Sequence, residues 1–151
     1  MTSRTSKSLT LKVVLAFLVG TSAWGTAQTS ASESTLETVE TEAGSVQELS
    51  PEGLASKLEQ GGNFLLINTH VPYAGAIPST DAFIPFNEIE QYAAVLPEDK
   101  SADIVVYCRS GGMSKSASAS LVALGYENVK RLVGGMNAWQ EAGYTLQDAE
   151  L

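Results

Sequence analysis

The sequence predicts an α/β domain with parallel strands, and three stretches predict it. Residues 104–107 read Ile-Val-Val-Tyr, a β-branched apolar run of the kind that a parallel sheet buries on both faces. A short loop and a helical run follow, with Leu121 and Leu124 spaced for a buried face and Gly125 as the stop. Residues 64–67, Phe-Leu-Leu-Ile, form a second buried strand, placed directly after a helix signal.

Taken in order, the chain opens with Arg4, Lys7 and Lys12, an apolar run over residues 13–19, and small residues through Ala27. A basic region, a short apolar region and a small-residue cleavage site describe a signal peptide over residues 1–27, cut after Ala27 with Ala23 as the alternative. The run is shorter than the roughly 20 residues a membrane span needs, an uncleaved anchor being the competing reading. The chain is therefore expected to be exported, periplasmic or secreted, with no membrane partner after cleavage.

All 17 acidic residues lie beyond Ala27, with six of the nine basic ones, so the mature chain carries −11. Such a surface repels nucleic acid and anionic membrane. Residues 28–45 are rich in Ser, Thr, Glu, Ala and Gly and lack an apolar stripe, which predicts a disordered spacer. The folded domain is then expected over residues 46–151, a normal single-domain size.

Within it, Ser50-Pro51-Glu52 starts a helix, with Ser as N-cap, Pro in the first turn and Leu54 and Leu58 on its buried face; Gly61-Gly62 end it. After the strand at 64–67, Asn68, Thr69, His70 and Val71 leave its C-terminal end before Pro72. Residues 74–90 look irregular, anchored by Ile77-Pro78 and Ile84-Pro85. A helix is expected over about residues 87–94, turning Ile89, Tyr92 and Val95 inward. Val129, Arg131 and Val133 suggest a last strand, and residues 135–142 a closing helix with Trp139 in the core.

The only cysteine stands at the end of the 104–107 strand, in the run Cys108-Arg109-Ser110-Gly111-Gly112-Met113-Ser114. Its small residues let the backbone curl into a cup of inward N–H groups, with Ser114 as the expected N-cap of the next helix. Anions are attracted to such a place, and a thiol held there shifts below its free pKa of roughly 8.5. A nucleophilic cysteine is the favoured reading over a buried inert one, which needs neither the glycine pair nor the cap. One thiol makes no internal disulfide.

That loop resembles the active-site loop of rhodanese-like sulfurtransferases. Gly125-Tyr126-Glu127-Asn128-Val129 and Gly134-Gly135-Met136-Asn137-Ala138-Trp139 are similar to the family's C-terminal pattern. The resemblance spans about residues 46–146. It implies a three-layer domain with a central, mostly parallel five-stranded sheet flanked by helices. It also implies that Cys108 carries sulfane sulfur as a persulfide between a donor (thiosulfate, a polysulfide or an organic persulfide) and a thiophilic acceptor. Arg109, Ser110, Gly111, Gly112, Met113 and Ser114 then bind the substrate, with Arg109 either drawing in the anion or pointing outward. Small sulfur-containing anions or persulfides, and a protein sulfur donor or acceptor, are the partners in view; no metal or cofactor is called for.

Three features depart from the family pattern. Met113 stands where many members carry a second Arg, Asn68-Thr69-His70 stands for Asp-x-Arg, and the segment after it is short. His70, the only histidine, reads as a rim residue rather than a base, because an ionised cysteine needs none. A cysteine phosphatase needs Arg six places after the nucleophile to clamp phosphoryl oxygens, and Ser114 stands there. Arsenate reduction usually calls on further thiols. The remaining alternative is a sulfur-carrier or redox module, without catalysis, that binds a protein through the same loop.

Overall fold

The structure, a computed structural model, describes residues 38–41 and 44–148. The expected signal peptide and most of the expected spacer lie outside these residues. Six strands form one sheet: β1 (Thr38–Thr41), β2 (Gly44–Leu49), β3 (Leu65–Asn68), β4 (Ala82–Phe83), β5 (Asp103–Tyr107) and β6 (Asn128–Leu132). Their order across the sheet is β1-β2-β6-β5-β3-β4. The last five are mutually parallel, and β1 adds antiparallel to the free edge of β2. The mostly parallel five-stranded core is thus as expected, with one further edge strand. That strand corrects the spacer expectation at its end: residues 38–41 read Thr-Val-Glu-Thr, which suits a β edge.

Three helices complete the layers: α1 (Pro51–Glu59), α2 (Gly112–Ala123) and α3 (Gly135–Glu141). Ser50 caps α1 as expected, its hydroxyl accepting from the Gly53 N–H at 3.1 Å. Because strand side chains alternate between faces, β5 feeds two cores at once. Ile104 and Val106 join Ile67, Val129, Ala117 and Leu121 beneath α2. Val105 and Tyr107 join Leu66, Leu132, Leu54, Met136 and Trp139 beneath α1 and α3.

The expected helix over residues 87–94 is absent; this stretch is a run of turns. Its bonds are mixed in span: Gln91 N–H to Glu88 O at 2.9 Å, Tyr92 N–H to the same oxygen at 3.2 Å, and Val95 N–H to Tyr92 O at 2.9 Å. With Pro85 and Pro97 bracketing so short a segment, no regular ladder propagates. Ile89 is buried as expected, but Tyr92 and Val95 are 38% and 70% exposed, and Leu96 takes the inward place. Among the described residues, no helix is long and apolar enough to cross a membrane, and no group of His, Cys, Asp and Glu could hold a metal ion.

Candidate active site

Cys108 follows β5 directly, at the C-terminal edge of the parallel strands where ligands bind in open α/β sheets. It is 1% exposed. The chain then turns back through Gly111, at φ 103°, a left-handed conformation open to glycine at little cost. This turn aims the Gly111 N–H at Cys108 Sγ, 3.0 Å away. Gly111, not Ser114, is the N-cap of α2. Ser114 lies inside the first turn instead, wholly buried, its hydroxyl donating to Gly111 O at 3.0 Å and accepting from Cys108 Sγ at 3.6 Å. The sequence signal for a cap was sound in kind but three residues late, because a left-handed glycine started the helix first.

These contacts set the thiol's chemistry. Burial pushes the Cys108 pKa up, but the Ser114 N–H and hydroxyl, with the Gly111 and Ser110 N–H groups, outweigh it and bring the pKa below the usual thiol value. The sulfur therefore sits in a cup of donors at the start of a 12-residue helix, whose dipole favours an anion there. Of the remaining loop residues, Arg109, Ser110 and Gly112 are exposed and Met113 is half-buried on the first turn of α2.

A second clamp was not foreseen as such. The first turn of α3 donates to the cysteine loop from the other side: Met136 N–H to Cys108 O and Asn137 N–H to Arg109 O, each at 2.9 Å. This close approach explains Gly135, at φ 59°, where a Cβ would stand 2.1 Å from Cys108 O. The pair Gly134-Gly135 was the visible signal; what it packs against was not.

The segment after β3 closes the edge. Thr69 donates to Tyr107 O through both its N–H, at 2.8 Å, and its hydroxyl, at 2.9 Å. Buried Asn68 donates to Gly75 O and accepts from His70 N–H, both at 3.0 Å. It therefore shapes the loop from within. His70 is buried at this edge, and burial together with the Arg109 charge lowers its pKa.

With this geometry in view, the comparisons with known proteins are specific. A family model described as a rhodanese-like domain matches residues 65–142. A sulfurtransferase of Allochromatium vinosum is 36% identical over 102 residues, covering 65% of this chain and 92% of its own. A thiosulfate sulfurtransferase GlpE of Haemophilus influenzae is 25% identical over 111 residues, covering 70% and 98%. The solution structure of a rhodanese-like domain from an Anabaena protein superposes with a TM-score of 0.59 at 26% identity, covering 68% of this chain and 79% of that one.

Proposed function

Because the chain belongs to the rhodanese-like family, we propose that it is a sulfurtransferase whose carrier is Cys108. The thiolate attacks the outer sulfur of a donor; with thiosulfate, the S–S bond breaks and sulfite leaves with the electron pair. Cys108 then holds that sulfur as an anionic persulfide. In the second half-reaction a thiophilic acceptor attacks the terminal sulfur and the pair returns to Cys108 Sγ as thiolate. No oxidant or reductant is consumed.

The observation that carries this reading is the Gly111 N–H aimed at Cys108 Sγ at 3.0 Å inside a buried cup. Such preorganised donors favour the sulfur anion before and after loading, and most of all the spread charge between them. Gly112 and Met113, in the first turn of α2, are the proposed substrate contacts there, and exposed Arg109 adds a local cation in a chain of strongly acidic balance. Sulfane sulfur anions or persulfides are the substrates, and a protein donor or acceptor is compatible with the same edge. The three-part pattern in residues 1–27 supports export, to the periplasm or beyond.

Intact mass after treatment with thiosulfate or polysulfide tests the reading. One added sulfur is expected on the wild type and none on Cys108→Ser, with the Cys108→Ser fold checked by thermal melting. A folded Cys108→Ser protein that still transfers sulfur overturns it.

A further inference from the structure

His70 is the titratable group at the cysteine edge that the carrier reading leaves unused. It stands two residues past the end of β3 and is 9% exposed. The segment is fixed against the cysteine strand by the two Thr69 bonds to Tyr107 O. The β3–β5 register ends with Asn68 opposite Tyr107, so Thr69-His70 and Cys108-Arg109 leave the sheet at the same edge. The His70 main chain is pinned in turn by Asn68 Oδ1.

The ring itself is not committed. Its Nδ1 is the one buried side-chain nitrogen or oxygen without a hydrogen-bond partner among the described residues. Buried polar atoms are ordinarily paired, so an exception at the sheet edge that carries the thiol points to a partner that arrives with the substrate. The Tyr107 hydroxyl is already occupied, accepting from Ile77 N–H and bonded to Thr80 Oγ1. Burial, and after it the Arg109 charge, keep the imidazole neutral down to a lower pH than usual, with Nδ1 open to a proton.

Resting on the persulfide reading of Cys108, we infer that His70 Nδ1 takes the proton of an incoming low-molecular-weight thiol, which is the acceptor this site serves. The thiol S–H bond breaks as its proton passes to Nδ1. The thiolate so formed bonds to the terminal sulfur of the Cys108 persulfide, the S–S bond breaks, and the pair returns to Cys108 Sγ. The thiol leaves as its own persulfide, and the imidazolium gives its proton to solvent. A small thiol is specified because both reacting groups are buried and it reaches them without the extended tip that a protein acceptor would have to insert.

The test starts from Cys108 preloaded with one sulfur, and follows its discharge by rapid quench and intact mass. Dithiothreitol and sulfite serve as acceptors at mildly alkaline pH, where sulfite is ionised and the thiol largely is not, so that the thiol alone needs a base. His70→Gln should lower the thiol-to-sulfite rate ratio about a hundredfold. It should also remove the level stretch that the wild type shows between the imidazole pKa and the thiol pKa, leaving thiol transfer to fall about tenfold per pH unit with the thiolate fraction. A ratio within about twofold of the wild type, or equal slowing with both acceptors, overturns the inference. His70→Asn, measured beside it with thermal melting of both, separates loss of a base from loss of fold. If wild-type Cys108 takes up no sulfur at all, the carrier reading fails and this inference falls with it.

Discussion

The Ser114 hydroxyl has a single proton and two acceptors within reach. With Cys108 as a thiol, that proton goes to Gly111 O while the S–H faces Ser114 Oγ. On ionisation the hydroxyl can rotate toward the sulfur, and a hydrogen bond to a charged group is worth about 1.5–3 kcal/mol. Ser114→Ala should therefore raise the thiol pKa by about one unit or more, read as the pH midpoint of alkylation by iodoacetamide. The same assay on the wild type has a fixed sign: because the pKa is lowered, reactivity should rise with pH and level off below the free-thiol range of about 8.5. A midpoint at or above that value would remove the case for an activated thiol. Met113 gives a third expectation. An Arg placed there adds one charge contact in a partly buried pocket, roughly ten- to a hundredfold in affinity. Met113→Arg should raise kcat/KM for dianionic thiosulfate more than for a neutral organic persulfide; equal changes for both would show that the backbone cup alone selects the donor.

Among the elements, the start of α3 governs the loop that α2 begins. A methyl at Gly135 would overlap Cys108 O and also place a side chain in left-handed backbone. Gly135→Ala should cost on the order of 1–3 kcal/mol by overpacking, seen as a lower melting temperature, and should slow sulfur loading because Cys108 moves with its carbonyl. A variant as stable and as reactive as the wild type would mean that the two helices yield without disturbing the sulfur. This coupling shows why the site was only partly legible. Strand, cysteine and glycine loop are contiguous, and local pattern sufficed to place the nucleophile at a strand end before a helix. The contacts from Met136 and Asn137 come from almost thirty positions away, and no spacing rule announces them. The misplaced helix at residues 87–94 has the opposite cause: apolar residues at helical spacing existed, but prolines close by and mixed turn bonds prevailed over periodicity.

For the whole molecule, alternation and length carried most of the architecture. Fully apolar strands demand cover on both faces, and β5 receives it from the two cores on either side. The edge strand β1 was missed because its Thr-Val-Glu-Thr sequence is short and polar, and only pairing with β2 gives it a place. At this scale the remaining expectation is export: protein recovered from its native host should begin near Gln28, outside the cytoplasm. N-terminal sequencing that finds Met1 or Thr2 on a soluble cytoplasmic product would contradict it.

The hold of α3 on the loop also fixes an order of events during synthesis. Cys108 leaves the ribosome well before Met136 and Asn137, and at about 5–20 residues per second the thiol exists for a second or more without the groups that fasten its backbone. A nascent chain at that stage has the sulfur and the donors of residues 110–114, but not the two α3 bonds that hold their backbone in place. On the proposed carrier reading, the loop is fastened for charging with sulfur only at the end of translation, which sets a half-made chain at a disadvantage to mature molecules for donor.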